Sequence, residues 1–305
     1  MRPTRLRRSE LSTPATSEKM LAKAAASDAD LVFVDLEDSV APAAKPGARA
    51  LAVAALTGLD WGGKTRAVRI NGVHSEWALD DLVEVVTGAG PALDVVIVPK
   101  VKVPRDVWFV ETVLEQLEAK VGIDRRIGIE VLIEEAEALS GVEEIAGCSS
   151  RLEALILGPG DLAASLGMRL GHIGVAGDRY PGDVWHHARA RMIAAARAHG
   201  LDPIDGPYAD FRNPEGYRRE AGWAATLGCV GKWAIHPSQI EVANEVFAPT
   251  EDEVARAQAA VDAVREAEAG GAGAAQAGGV MVDAATARLF QVTLDRAALI
   301  ASRAR

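Results

Sequence analysis

Glu134 and Asp161 each fall where a short apolar run gives way to a polar stretch, in IGIEVLIEEAEAL and LEALILGPGDLAASLG. Two carboxylates at the ends of successive strands can face one another and hold a divalent cation. Mg2+ suits such a pair because it binds few protein carboxylates and leaves positions for water or substrate oxygen. The plainer role for Glu134 is to decorate the start of a helix. GPGDLAASLG puts glycines and a proline between strand and helix, so free N–H groups around Gly160 can receive a carboxylate, with Asp161 beside them. A tight turn with an aspartate cap is the alternative. Arg69 lies inside RAVRIN, where an inward guanidinium is costly unless it meets anions. It is a candidate to bind a carboxylate or polarise a carbonyl, and Glu37 and Asp38 of DLEDSV are candidates to orient it or to pair with it. Lys23, with Arg2, Arg5, Arg7 and Arg8, forms a basic patch that either meets phosphates or is a solvated face. No GxSxG elbow, HExxH pair or P-loop occurs, so a serine hydrolase, a zincin and a P-loop NTPase have no support.

The elements that must position these residues alternate. Eight short β-branched runs, at 7–13, 31–36, 66–71, 95–100, 127–133, 152–157, 203–205 and 230–235, are separated by stretches with helical spacing. The clearest of those helices are expected over 18–27, 107–120, 135–146, 184–199 and 214–227. Repeated βα units imply a parallel sheet, and eight of them without a glycine-rich dinucleotide fingerprint imply a (β/α)8 TIM barrel, an α/β fold. The polar residues then gain a location. Asp35, Glu37 and Asp38 end the second run, Arg69 the third, Lys100 the fourth, Glu134 the fifth, Asp205 the seventh and His236 the eighth, and Asp161 lies just past the sixth. All of these strand ends share one rim, where such barrels build active sites.

The barrel is expected over residues 1–247 and a small C-terminal helical segment over 248–305. That segment comprises a charged helix at 250–269, a Gly/Ala-rich hinge at 270–279 and a terminal helix that includes VMVD. It is either a packing or oligomerisation arm or a mobile lid. The 33 basic residues against 43 acidic ones give a net charge of −10, which argues against a broad nucleic-acid footprint or an anionic membrane surface. No apolar run approaches a membrane span, and no apolar core follows the N-terminal arginines as it would in a signal peptide. Two cysteines, Cys148 and Cys229, are too few for a disulfide framework and read as small buried hydrophobes, which points to a reducing cytoplasm.

Several runs together are specific: DADLVFVDLEDSVAP followed by Lys45 and Arg49, TRAVRING, IVPKV, LILGPGDLAASLGM, DGPYADF and GKWAIHPSQIEVANEVF, with VMVDAAT near the end. On these the chain resembles the malyl-CoA and β-methylmalyl-CoA lyases, relatives of the citrate lyase β subunit in the HpcH/HpaI aldolase superfamily. The resemblance implies a Mg2+-dependent lyase, with Mn2+ as an alternative metal. The reaction implied is reversible aldol-type cleavage of a 3-hydroxyacyl-CoA (malyl-CoA, β-methylmalyl-CoA or citramalyl-CoA) into an acyl-CoA and glyoxylate or pyruvate. It implies metal ligation by Glu134 and Asp161, a substrate-binding Arg69, and CoA contacts from Lys23, Ile235 and His236. Asp283 matches a lid acid/base that enters a neighbouring subunit's site in a homotrimer or homohexamer. One departure stands out: where the family carries an aromatic followed by Gly-Pro-Gly and a basic residue, this chain has Ser12-Thr13-Pro14-Ala15 and Ser17. The rival activities are a malyl-CoA thioesterase, a CoA-independent 2-oxo acid aldolase and a citrate lyase β-type subunit that needs a carrier protein.

Overall fold

The computed structural model describes residues 2–170, 180 and 182–303. Eight parallel strands close into a barrel: β1 (Ser9–Pro14), β2 (Leu31–Asp35), β3 (Thr65–Arg69), β4 (Val95–Val98), β5 (Gly128–Ile133), β6 (Leu152–Leu157), β7 (Asp202–Asp205) and β8 (Gly231–Ala234), with β8 pairing back on β1. The connections carry α1 (Glu18–Ala25), α2 (Lys45–Gly58), α3 (Ala78–Ala89), α4 (Pro104–Val121), α5 (Ala136–Ser140), α6 (Val142–Gly147), α7 (Pro159–Ser165), α8 (His186–Ala198), α9 (Pro214–Leu227) and α10 (Ile240–Val246). The (β/α)8 expectation therefore holds. The helix expected over 135–146 is broken at Gly141, which ends α5 and starts α6.

Strand periodicity explains what fills the barrel. Leu31, Phe33, Ala67, Val95, Ile97, Leu132, Ala154, Ile156, Ile204 and Trp233 form one buried apolar cluster. Their chain neighbours Val32, Val34, Val68, Val96, Val131, Ile133, Leu155 and Leu157 belong to a second cluster shared with the helices. Side chains alternate across a strand, so the inward series Phe33–Asp35, Ala67–Arg69 and Leu132–Glu134 each end in a charged residue above the apolar layer.

Below that layer the inward positions are also charged. Glu10 and Glu130 are fully buried, and Arg7 donates to Glu130 (2.8 Å), Glu153 (2.6 Å) and Asp202 (3.0 Å). Arg5 pairs with Glu153 at 2.7 Å, Arg8 with Asp30 at 2.8 Å, and Arg2 donates to the carbonyl of His199. This corrects the phosphate reading of the N-terminal arginines. They close the N-terminal end of the barrel, opposite the rim, because that layer carries carboxylates that need cations.

Residues Met1–Asn244 form one compact unit and Glu245–Arg305 a second. In the second, α11 (Glu251–Ala269) is capped by Thr250 and followed by an antiparallel hairpin of β9 (Ala274–Ala277) and β10 (Val280–Asp283), then α12 (Ala284–Arg303). The Gly/Ala-rich stretch at 270–279, expected as a loose hinge, thus contains a strand. Gly278 and Gly279, with φ of +57° and +81°, supply the two-residue turn that joins it to VMVD, which is a strand and not helix. No described helix is long and apolar enough to cross a membrane.

Candidate active site

The charged residues above the apolar layer meet at the C-terminal ends of β2 to β6. Arg69 is buried and bidentate on Asp35, with Nε and Nη2 each 2.7 Å from a carboxylate oxygen. Its remaining terminal nitrogen, Nη1, lies 3.0 Å from Glu37 and 4.0 Å from Asp38. The guanidinium carbon sits 5.4 Å from the Trp233 ring and 5.9 Å from that of Phe33, an aromatic floor supplied by the apolar layer. Burial works against both charges of the pair, yet Asp35 is held below the usual carboxylate range by Arg69, by the Ser39 side chain and by the Glu37 amide. Arg69 stays cationic for the reciprocal reason.

Glu134 is 3% exposed and accepts the Lys100 amide at 2.7 Å. Burial, the Glu37 carboxylate and Asp161 push its pKa up to about 8, against the pull of the Lys100 amide and of Arg69. Gly158 makes this placement possible, since a Cβ there would stand 2.4 Å from Glu134 Oε2. Asp161, partly exposed, and Gly160 lie in the first turn of α7, which starts immediately after β6. Glu37 is buried as well. Burial raises its pKa against Arg69 and Lys100, and the Lys100 ammonium is bonded to Glu37 and lies 3.3 Å from Asp38.

Beside this cluster opens a cavity of about 490 Å³ lined by Glu37, Asp38, Gly72, Trp77 and Lys100 among others. Lys45 closes its inner side. Its ammonium donates to the carbonyls of Leu36 (3.0 Å) and Glu37 (2.8 Å) and to Asn71 (2.6 Å), and lies over the Trp77 ring. Asn71 is held in turn by Asp81 (2.7 Å), and Asp81 by Arg49 (2.8 Å). The Glu37 loop is thereby tied from behind.

At the β7–β8 part of the rim, Ile235 is exposed and its amide donates to Gln239 (2.8 Å), which donates to the Tyr208 carbonyl (3.0 Å). His236 is exposed, bonded to Ser238 at 2.8 Å and stacked on Phe211, ring centroids 4.8 Å apart. Lys232 of the same motif is fully buried on Asp205 (2.6 Å) and Glu220 (2.6 Å), so Asp205 serves packing against α9 and is not open at the mouth. Lys23 is exposed in the last turn of α1, about 7.5 Å along the helix from its start. In the departing loop, Ala15 is buried and Ser17 caps α1 by accepting from the Met20 amide. Asp283 belongs to the second unit. There its Oδ1 accepts from the Thr286 amide and hydroxyl, both at 2.9 Å, which holds its pKa below the usual range.

The rim thus brings together Asp35, Glu37, Asp38, Arg69, Lys100, Glu134 and Asp161, all placed there by their strand ends, and adds Lys45 from α2. A cation fits this place on two grounds: Glu134 is buried next to other carboxylates and resists ionisation there, and the donors are all oxygen. Among the described residues no group of three or more His, Cys, Asp or Glu is set to hold a metal ion by itself. Two carboxylates with open positions are the Mg2+ manner of binding, unlike the nitrogen and sulfur cages of zinc.

Residues 8–237 match the model of the HpcH/HpaI aldolase/citrate lyase family. The chain is 43% identical over 304 residues to the L-malyl-CoA/beta-methylmalyl-CoA lyase of Rhodobacter capsulatus, covering 97% of this chain and 96% of that one. It is 35% identical over 295 residues to a (3S)-malyl-CoA thioesterase of Cereibacter sphaeroides, with 97% and 96% covered. Protein CitE from Mycobacterium tuberculosis, crystallised with magnesium, acetoacetate and coenzyme A, superposes with a TM-score of 0.75 at 30% identity over 95% of this chain and 97% of that one. With barrel, rim chemistry and near full-length similarity in agreement, the chain belongs to the HpcH/HpaI aldolase/citrate lyase family.

Proposed function

We propose that this chain is a Mg2+-dependent carbon–carbon lyase. It cleaves a 3-hydroxyacyl-CoA such as malyl-CoA, β-methylmalyl-CoA or citramalyl-CoA to an acyl-CoA and glyoxylate or pyruvate, and runs the reverse condensation. The observation that carries this is the pairing, at one mouth, of an oxygen-only carboxylate site with a buried arginine that keeps one nitrogen turned toward it. Glu134 and Asp161 are the residues that would hold the metal, and Mn2+, which takes the same oxygen donors, is expected to substitute. Mg2+ when bound supplies a Lewis acid for the carboxylate and adjacent oxygen of the 2-oxo acid.

The chain's own groups do the rest. The N–H groups at Gly160 and Asp161 orient the substrate carboxylate. As the bond between C2 and C3 breaks, its electron pair passes into a thioester enolate, the hydroxyl proton leaves to solvent, and the hydroxyl carbon becomes a carbonyl. Asp35 occupies Nε and Nη2 of Arg69, so Nη1, which has two N–H groups and only the Glu37 carboxylate at 3.0 Å beside it, is the nitrogen that can also face the enolate oxygen, and its charge is in place before the reaction starts. Asp283 gives a proton to the enolate carbon in cleavage and removes it in condensation. As the cap of α12 it is an ionised base, and proton donation requires that it leave Thr286. We place it in a neighbouring subunit's mouth within a homotrimer or homohexamer. Mixing inactive Asp283→Asn and Glu134→Gln chains then restores part of the activity, because each supplies what the other lacks. Lys23, Ile235 and His236 are assigned to CoA, with Phe211 beside His236 supplying an aromatic face that the loop at 12–17 does not.

The test is condensation: purified chain, acetyl-CoA or propionyl-CoA, glyoxylate and Mg2+. A new CoA thioester heavier by the mass of glyoxylate supports the proposal. No such product in any acyl-CoA and 2-oxo acid combination overturns it and leaves thioester hydrolysis as the reading.

A further inference from the structure

Lys100 was legible in the sequence only as the end of a strand, yet it touches both halves of the carboxylate cluster. Its main chain is unusual. With φ of +53° it is the non-glycine residue in the left-handed region among those described. A β-carbon is crowded in that conformation, and a non-glycine residue persists there only where its surroundings hold it. The left-handed turn follows Pro99 at the end of β4, and the amide it presents donates to Glu134 Oε1 at 2.7 Å. The side chain places its ammonium on Glu37 and 3.3 Å from Asp38.

We propose that Lys100 is a positioning residue: its ion pairs with Glu37 and Asp38 hold its own backbone in the left-handed turn, and that turn keeps the amide on Glu134, fixing the carboxylate for the metal. The metal part rests on the reading of Glu134 as a ligand. The ammonium therefore acts on Glu134 without touching it, through the strain of one residue. A replacement that loses the ammonium but tolerates positive φ keeps Glu134 in place, whereas one that loses the ammonium and disfavours positive φ lets it go.

Glycine and alanine are that pair. Lys100→Gly and Lys100→Ala lose the same positive charge, so they are compared with each other. In the metal-free full-length protein, hydrogen exchange at the residue 100 amide remains slow in Lys100→Gly and speeds up about tenfold in Lys100→Ala, the scale of the left-handed penalty. Calorimetry gives Lys100→Ala a Mg2+ affinity about tenfold weaker than Lys100→Gly, while thermal melting confirms that both fold. Equal amide exchange in the two variants, whether both slow or both fast, overturns the proposal. A Glu134→Gln control that binds Mg2+ as the wild type does would instead overturn the ligand reading, while the exchange comparison still decides the coupling between side chain and backbone.

Discussion

Replacing Glu134 by glutamine should make the metal-free protein more stable, although it removes a central residue of the mouth. The carboxyl titrates near 8 in the folded chain against an ordinary 4.5. The folded state thus binds this proton more tightly than the unfolded state does, and stability falls as pH rises from 4.5 toward 8, where the unfolded chain ionises and the folded one resists. At ~1.36 kcal/mol per pH unit the loss reaches about 5 kcal/mol above pH 8 and about 3 kcal/mol at pH 7. Glutamine keeps an oxygen for the Lys100 amide and carries no charge, so it escapes this loss. In excess chelator, Glu134→Gln is expected to melt about 10 °C or more above the wild type at pH 8 and with it at pH 4.5, on the basis of ~2–4 °C per kcal/mol for a chain of this class. Mg2+ reverses the order, since it stabilises wild type increasingly from pH 6 to 8.5 as it displaces the proton and leaves the variant unmoved. A variant less stable than wild type at pH 8 without metal, or equally stabilised by Mg2+, would refute the electrostatic reasoning.

Asp283→Asn retains a side chain that can cap α12 and should melt within about 1 kcal/mol of wild type, while deuterium incorporation from D2O into the acyl-CoA α-carbon disappears. Arg7→Met removes the cation from a buried carboxylate cluster and should cost about 3–5 kcal/mol in urea unfolding; because that cluster lies at the end of the barrel away from the rim, KM for the thioester stays unchanged in the folded fraction. Phe211→Ala removes the ring stacked on His236 and should raise KM for CoA thioesters by about tenfold, within the ~1–3 kcal/mol of a lost base–aromatic stack, with kcat little altered. A fall in kcat at constant KM would remove Phe211 from the CoA contacts.

The barrel was legible because each strand is short, β-branched and bounded by turn residues, and because helices of ordinary length separate the strands. Its boundaries slipped by a residue or two, as at β4, where the expected run 95–100 stops at Val98 and Lys100 turns out of the sheet. Residues with a characteristic type at a strand end, Arg69, Glu134 and Asp161, could be singled out because few roles suit a charge there. Asp35 was harder to place, since three carboxylates in DLEDSV look alike until register puts one inward beneath Arg69 and leaves Asp38 exposed. Lys45 and Asn71 act through contacts across 26 positions, which spacing does not encode. The N-terminal arginines misled because a charge run shows no partners, and the partners of Arg5 and Arg7 are carboxylates from β5, β6 and β7. In the second unit, glycine and alanine gave the composition of a linker, while a hairpin with small side chains needs little else.

The central claim is metal-dependent cleavage of a carbon–carbon bond, and one assay reaches it directly: malyl-CoA turnover by the purified full-length chain, with every product resolved by mass, across a titration of Mg2+ into chelator-treated protein. Acetyl-CoA and glyoxylate should appear in equal amounts, rising with Mg2+ to saturation, with the thioester intact. Malate and free CoA without glyoxylate, or cleavage undiminished at the chelated end of the titration, would contradict the account.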